Sequence, residues 1–242
     1  MGKPSLFSQI EAFAVNPRNL LPSPRHWNCG LLRYQERLWL AYRYHLQEPS
    51  ARCATAMVEI DEATLQPKGK SQWLPFRGPR GDEHYEDARL FLFKGEPYIS
   101  ITEMRGYRPG VDYICVIKYA KLELKKNQWK IADCWQPIYG HNDGRGKEKN
   151  WVFFEYDGRL HAVYSVSGQN DVLELEGENV IKTYQSESPA WHFGVVRGGT
   201  PPILQADGTY LSLFHSSVAT EIPPHYVRYY AAGYTFEGQP PF

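Results

Sequence analysis

One hairpin pattern recurs four times along this chain with the same internal spacing. In each copy, two mainly apolar or aromatic segments flank a short polar turn. The turns end at Glu36, Gly95, Gly158 and Gly208. The Asp-Gly pairs of the last two turns tolerate the positive φ angles of a type I′ turn, whereas Lys-Gly in the second is a weaker version and Gln-Glu in the first departs from the pattern. The sequence therefore predicts four antiparallel β-hairpins.

Polar residues stand at the open end of each predicted hairpin. Eight residues before the turn ends are Asn28, Asp87, Asn150 and Thr200, and seven residues after them are Arg43, Thr102, Ser165 and His215. Residues equidistant from a two-residue turn lie opposite one another in antiparallel strands, so we expect the two sets to face each other.

The distances between the turns indicate how the hairpins are assembled. Successive turn ends are 59, 63 and 50 residues apart, which leaves room for a second hairpin within each unit. One such second hairpin is predicted over 113–132 and another over 171–182. Units of four antiparallel strands repeated at this spacing are typical of the blades of a β-propeller. Because no long stretch has helical periodicity and no linker is evident, we predict one all-β domain over residues 1–242.

Composition excludes several classes of function. Lys+Arg and Asp+Glu balance at 27 each and no basic face is evident, so we expect no nucleic-acid partner. No segment is long and apolar enough for a membrane span or a signal peptide, so we expect no membrane partner and a cytoplasmic location. The four cysteines and eight histidines lack the spacing of a metal site, so we expect no metal and no cofactor.

Several motifs occur in the order found in one known family. Tyr85–Leu90 is similar to a Glu-Asp-Pro-Arg segment, and Glu148–Trp151 followed by Phe154–Gly158 is similar to the motif of the next blade. Further matches are Arg197–Pro202, Leu213–His215, Tyr229-Tyr230, Tyr234–Glu237 and Pro240–Phe242. Over about residues 25–242 the chain resembles the five-bladed β-propeller glycosidases and phosphorylases, closest to the β-mannoside group of glycoside hydrolase family 130. The resemblance implies a five-bladed β-propeller.

Two departures from the family concern Ala88 and the end of the chain. Ala88 stands where the family usually has proline, and 34 residues follow the fourth turn, which is too few for a complete fifth blade. Four blades are therefore readable and the last is degenerate. Either residues 1–27 supply strands to it, so that it is shared between the termini, or it is truncated. A gap in the ring would expose apolar sheet faces and favour a homo-oligomer.

The resemblance also implies a reaction and a site. In the related enzymes the substrate pocket lies on the propeller axis at the starts of the innermost strands. Asp87 is the carboxylate at such a start, so it is the candidate general acid for cleaving an oligosaccharide with inversion. If water attacks, a second carboxylate is needed, for which Glu155 and Glu103 are candidates. If inorganic phosphate is the co-substrate, cations must bind it instead. The predicted substrate-binding residues are Asn28, Arg43, Glu86, Arg89, Lys149, Asn150, Arg197, Thr200 and His215.

Structural interpretations of the same residues stay open. Asp87 could cap a strand start or pair with Arg89, each arginine could join neighbouring blades, and His215 could bond to a backbone carbonyl. The chain as a whole could be a glycan-binding propeller without chemistry, or a glycosyltransferase that uses an activated sugar donor. The sequence favours an enzyme, either a glycoside phosphorylase or a glycoside hydrolase, and does not specify the sugar or the linkage.

Overall fold

The computed structural model describes residues 20, 26–45, 53–76, 84–106, 112–221 and 227–242. Within this part of the chain it contains β-strands and no helix. Blade 1 consists of β1 (His26–Tyr34), β2 (Arg37–His45), β3 (Cys53–Ile60) and β4 (Gln72–Leu74). Blade 2 consists of β5 (His84–Phe93), β6 (Glu96–Arg105), β7 (Ile114–Lys125) and β8 (Gln128–Trp135). Blade 3 consists of β9 (Val152–Tyr156), β10 (Arg159–Ser167), β11 (Gln169–Glu176) and β12 (Asn179–Ser186).

Blade 4 is built differently from the other three. Blades 1 to 3 are antiparallel meanders in which each strand pairs with the next in sequence. In blade 4, the short strands β13 (Arg197–Gly198) and β14 (Ile203–Leu204) both pair with β15 (Tyr210–Ala219), which in turn pairs with β16 (Val227–Phe236). The innermost strand of blade 4 is therefore in two pieces, and this sheet is three strands deep among the described residues.

Three of the four predicted turns have the expected conformation. Both turn residues have positive φ in Lys94-Gly95, in Asp157-Gly158 and also in Gln35-Glu36, the pair that departs from the usual composition. The fourth turn is different, because Gln205 accepts a hydrogen bond from the backbone N–H of Gly208 and donates one to the carbonyl of Thr209. Five residues thus separate Leu204 and Tyr210, the paired ends of β14 and β15, and the prediction of a two-residue turn at Asp207-Gly208 is wrong.

The predicted facing of the polar ends is wrong in blades 1, 2 and 4, and in blades 1 and 2 a bulge shifts the register. In blade 3 the pairing of β9 with β10 has the expected register. Arg43 lies opposite Trp27, and Thr102 lies opposite Glu86, one residue earlier than expected. In each case two residues on the inner strand, Asn28-Cys29 or Asp87-Ala88, oppose one on its partner. In blade 4, His215 pairs with Arg197 rather than with Thr200. A bulge turns its side chains away from the regular alternation of the strand.

Alternating side chains pack each blade against the next. A first cluster joins blades 1 and 2 through residues such as Trp39, Met57 and Leu90. A second joins blades 2 and 3, and a third joins blades 3 and 4. Neighbours in sequence such as Leu90 and Phe91 belong to different clusters, as the period of two along a strand requires. The inner strands β1 and β5 are in contact, as are β5 and β9, and β13 of blade 4 contacts β10 of blade 3, so the described residues form a propeller arrangement with four blades.

The two ends of this blade series have different outer faces. On blade 1, the face turned away from blade 2 is buried and Leu20 packs against it. On blade 4, Leu213 and Tyr229 are 49% and 70% exposed. A fifth sheet does not occur in the described ranges, and residues 1–19 and 21–25 of the segment predicted to complete it lie outside them.

Two further findings concern membrane spans and thiols. No helix in the described part of the chain could cross a membrane. Cys29, Cys53, Cys115 and Cys134 are all free thiols, and burial raises the pKa of Cys53 and of Cys115 to about 11.

Candidate active site

A cavity of about 740 Å³ lies where the inner strands of all four blades begin. Its lining includes eight of the ten residues predicted to form the site. These are Asn28, Arg43, Asp87, Arg89, Lys149, Asn150, Arg197 and His215. The other two, Glu86 and Thr200, are not part of the lining. Four separate hairpins thus bring most of the predicted site residues to one place, which we call the axial cavity.

The three residues at the starts of the first three inner strands share an unusual backbone conformation. Asn28, Asp87 and Asn150 have φ angles of 46°, 58° and 66°. Asparagine and aspartate are the residues other than glycine that most readily adopt this left-handed region. Asn28 and Asp87 each begin a bulge, which re-aims the side chain. The recurrence of these residue types therefore has a backbone cause, and only the carboxylate of Asp87 is specific to blade 2.

Glu86 forms the buried centre of an ion network behind the cavity. One carboxylate oxygen accepts a hydrogen bond from Arg43 of blade 1, and the other accepts one from Lys149 of blade 3. Glu86 is 7% exposed, so these contacts are shielded from solvent. Burial opposes the charged form of Lys149, but the neighbouring carboxylate of Glu86 raises the pKa of Lys149 above its ordinary value. The network ties three blades together beneath the cavity floor.

Asp87 is held by one of its two carboxylate oxygens. Oδ1 accepts a hydrogen bond from the side-chain amide of Asn28 and lies 3.4 Å from Nη1 of Arg43. Oδ2 has no hydrogen-bond partner among the described residues. The side chain is 15% exposed and lines the cavity. One oxygen therefore fixes the carboxylate while the other is available to a ligand.

Arg89 joins blade 2 to blade 4 instead of pairing with Asp87. Its Nε donates to the carbonyl of Gly199 at 2.5 Å, and Nη2 donates to the carbonyl of Gly198 at 3.0 Å and to Oδ1 of Asn150 at 3.3 Å. All these acceptors are neutral, and no described carboxylate forms a salt bridge with Arg89. Burial lowers the pKa of Arg89 and Asp87 opposes that shift, but a guanidinium stays charged.

Arg197 adds positive charge to the same wall, and His215 lies beside it. Arg197 donates from Nη1 to Oγ of Ser217 at 2.8 Å and forms no salt bridge with a described carboxylate. Burial lowers the pKa of His215, and the nearby Arg89 and Arg197 lower it further, while Asp87 acts in the opposite direction. The His215 ring is therefore neutral at pH 7. It has no hydrogen-bond partner among the described residues, so its ring nitrogens are available to a ligand.

The axial cavity thus has two unlike walls. Carboxylates on the blade 2 side neutralise Arg43 and Lys149, whereas on the blade 4 side neither arginine is paired with a described carboxylate. Asp87 is the one carboxylate among the described lining residues. Partly buried arginines that bond only to neutral groups attract anions.

The other predicted carboxylates and Thr200 serve contacts elsewhere. Glu103 is fully buried and bonds to Arg105 and Lys118. Glu155 accepts a hydrogen bond from the backbone N–H of Lys94, which joins blades 2 and 3. The hydroxyl of Thr200 accepts a hydrogen bond from the N–H of Leu213. None of these three residues lines the axial cavity.

Sequence reasoning missed several lining residues. Ser217 and Tyr229 line the cavity, but neither is among the predicted site residues. Ser217 follows His215 by two positions, so strand alternation from His215 is the signal that identifies it. Tyr229 is placed by the pairing of β16 with β15, where it lies opposite Ser217.

Comparison with known proteins identifies a class of fold. No protein-family model matches the sequence, and no curated protein matches it. Among solved structures, a thermostable family-43 glycoside hydrolase aligns with a TM-score of 0.54 at 17% identity, over 79% of this chain and 65% of its own. An α-L-arabinofuranosidase from Lactobacillus brevis aligns with a TM-score of 0.52 at 13% identity, over 85% of this chain and 72% of its own.

A mannose phosphorylase from Leishmania mexicana, solved in complex with a phosphate ion, has the same type of fold. It aligns with a TM-score of 0.52 at 12% identity, over 95% of this chain and 69% of its own. At such identities the likeness is one of fold alone. The chain therefore has the propeller arrangement of these glycoside hydrolases and of this phosphorylase.

Proposed function

We propose that this chain is a carbohydrate-active enzyme that phosphorolyses β-linked manno-oligosaccharides with inversion. The observation that carries the proposal is the axial cavity itself, whose lining combines one carboxylate, Asp87, with two arginines, Arg89 and Arg197, that form no salt bridge with a described carboxylate. The resemblance of the ordered motifs to glycoside hydrolase family 130, together with the fold shared with a mannose phosphorylase, supports the choice of substrate.

Each side chain has a distinct role in this proposal. Asp87 supplies the proton, carried on Oδ2, while Oδ1 is held by Asn28. Arg89, Arg197 and His215 bind inorganic phosphate. A phosphate oxygen attacks the anomeric carbon as the glycosidic C–O bond breaks, and the departing oxygen takes the proton, directly or through a sugar hydroxyl. The products are a sugar 1-phosphate of inverted configuration and a shortened oligosaccharide.

Phosphate is favoured over water as the nucleophile by what surrounds the cavity. Inverting hydrolysis needs a second carboxylate to activate water. Glu103 and Glu155 are engaged in other contacts, and Glu86 is bonded to two cations. Phosphate needs no base, because the anion attacks directly and requires only positive charge to bind it.

The test is to incubate the purified protein with β-linked manno- and gluco-oligosaccharides, with and without phosphate. Free sugar and sugar 1-phosphate are measured in parallel. We expect sugar 1-phosphate from manno-oligosaccharides only when phosphate is present. Free sugar at a rate independent of phosphate would replace phosphorolysis by hydrolysis, and the absence of any product would overturn the proposed activity.

A glycan-binding propeller without chemistry is the second candidate. The backbone favours this candidate, because Asn28 and Asn150 adopt the same positive φ as Asp87 and have no carboxylate. Under this alternative, Asp87 only anchors the bulge to Arg43. Sugar binding without turnover at any phosphate concentration would support this candidate against the enzyme.

A further inference from the structure

A second, smaller cavity lies between blades 3 and 4, next to the axial cavity. Its volume is about 280 Å³. It shares Lys149, Asn150 and Arg197 with the axial cavity, so these residues form the boundary between the two spaces. The rest of the lining comes from the end of β10 and from the segment that leads into β13. We call it the interblade cavity.

The boundary residues carry hydrogen-bond donors that described residues leave unused. Oδ1 of Asn150 accepts from Arg89 at 3.3 Å, which fixes the orientation of the amide. Its Nδ2 is then a donor with no hydrogen-bond partner among the described residues. Arg197 uses Nη1 to bond Ser217 and has no described partner for Nε or Nη2. Two donors of fixed orientation therefore stand where one cavity meets the other.

The boundary is held in place by close backbone packing. A Cβ added to Gly198 would lie 2.3 Å from the carbonyl oxygen of Asn150, so only glycine allows β13 to approach blade 3 this closely. Arg89 bonds to the carbonyls of Gly198 and Gly199 from the other side. The donors of Asn150 and Arg197 are thus presented on a wall that is rigid before a ligand binds.

The chemistry of the interblade cavity differs from that of the axial cavity. Its further lining is neutral and includes Ser165, Ser167 and the apolar side chains of Val195 and Val196. Among the described residues, the hydroxyl of Ser165 makes only two long contacts of 3.4 Å, with the backbone N–H and the carbonyl of Ser167. Hydroxyl groups beside an apolar surface suit a neutral sugar ring, which offers hydroxyls at its edge and C–H groups on its face.

The size of the interblade cavity limits the ligand to a short unit. Pockets that bury whole drug-sized ligands span about 300–1,000 Å³. At about 280 Å³, the interblade cavity lies just below this range and suits a single ring better than an extended chain.

We propose that the interblade cavity binds one neutral sugar unit adjacent to the sugar held in the axial cavity, with the amide of Asn150 at the linkage between them. This inference rests on the proposed function and deepens it, because it makes an oligosaccharide of at least two units the preferred ligand. The interblade cavity, and not Asp87, then determines which length of oligosaccharide binds most tightly.

The experiment measures sugar binding by calorimetry in an Asp87→Asn background, so that no turnover interferes. Mannose is compared with a β-linked mannose disaccharide. Val195→Trp and Ser167→Tyr each fill the interblade cavity from a different side, which guards against misfolding of one variant. Ile181→Trp is the matched control, because Ile181 is 49% exposed on β12 and lines neither cavity.

We expect the disaccharide to bind at least tenfold more tightly than mannose, and each filling variant to reduce this ratio to below twofold. Ile181→Trp should leave the ratio unchanged. Equal binding of the two sugars, or a ratio that survives both filling variants, would overturn the inference while leaving the axial site intact. If neither sugar binds to any of the proteins, the proposed function fails together with the inference.

Discussion

Asp87 in blade 2 and Asn150 in blade 3 occupy matching places in two neighbouring blades. Both stand eight residues before a type I′ turn and both have positive φ. Around Asp87 the contacts are ionic, through Arg43 and the adjacent Glu86. Around Asn150 no described carboxylate takes part, because its amide oxygen accepts a hydrogen bond from Arg89 and its backbone packs closely against Gly198. The comparison teaches that one backbone requirement can be met by residues whose chemistry differs completely.

The largest expected effect on stability comes from the ionic network centred on Glu86. Glu86→Gln leaves Arg43 and Lys149 buried without their shared carboxylate. Removing one partner from a buried ion network typically costs about 3–5 kcal/mol, so we expect the free energy of unfolding to fall by about 3 kcal/mol. Denaturant unfolding measures this, with the exposed Glu237→Gln as the control. A loss no greater than that of the control would show that the network does not hold the blades together.

The next effect tests the neutral packing around Asn150. In Gly198→Ala, the new Cβ would lie 2.3 Å from a backbone oxygen, so β13 must move. Overpacking of this kind costs about 1–3 kcal/mol. We expect a loss of about 2 kcal/mol together with weaker phosphate binding, since Arg89 bonds to this segment. Gly158→Ala is not a suitable control because of its positive φ, so Ser188→Ala in an adjoining loop serves instead. Unchanged stability would mean that this boundary is not tightly packed.

A third prediction concerns the blade cores. Tyr98 of blade 2 and His161 of blade 3 each stand three residues after the end of their turn. Burial lowers the pKa of His161, while its bond to the Arg159 carbonyl and the nearby Glu174 act in the opposite direction. The unfolded chain therefore binds a proton more readily, so stability should fall as pH decreases below about 6.5. His161→Phe should flatten the dependence of unfolding free energy on pH between 7 and 5. An unchanged slope would place the titration on other groups, of which His215 has the same direction of shift.

The smallest effect is expected at Thr200, which stands eight residues before the end of the fourth turn, as Asp87 and Asn150 do before theirs. Its hydroxyl bonds to Leu213 and it lies outside the axial cavity. Thr200→Val should cost about 1 kcal/mol of stability, the value of one hydrogen bond, and change sugar or phosphate affinity by less than twofold. Calorimetric titration checks this. A larger change in affinity would show that the substrate reaches beyond the lining described above.

Regular features of the fold could be predicted from the sequence. Alternating apolar strands and turns such as Asp157-Gly158 are local signals, and they correctly predicted an all-β propeller arrangement. The bulges at Asn28 and Asp87 were not predictable from hairpin counting, because an extra residue on one strand leaves the turn unchanged and shifts only the pairing beyond it. The split inner strand of blade 4 was also not predicted. Asp207-Gly208 has the composition of a two-residue turn, whereas the loop between β14 and β15 is longer.

The sequence predicted which residues lie together in the candidate site, but not which of them bond to each other. Arg89 is three residues from Glu86, yet its bonds reach Gly198 and Gly199, more than 100 residues away. Arg43, from another blade, contacts Glu86 and Asp87 instead. Such pairings depend on how the blades pack around the axis, which no local pattern encodes. For the same reason Tyr229, brought to the cavity by β16, could not be assigned to it from the sequence.

The central claim is that Asp87 supplies the proton for the reaction, which Asn150 in the matching place of blade 3 cannot supply. The direct measurement is phosphate-dependent turnover of β-linked manno-oligosaccharides by the wild type, Asp87→Asn and Asn150→Asp, with thermal unfolding recorded for each. Asparagine tolerates positive φ, so Asp87→Asn should melt within about 2 °C of the wild type yet lose about 10²–10⁴-fold in rate, and adding Asn150→Asp to it should restore nothing. Turnover of Asp87→Asn equal to the wild type, or recovery through Asn150→Asp, would contradict the account.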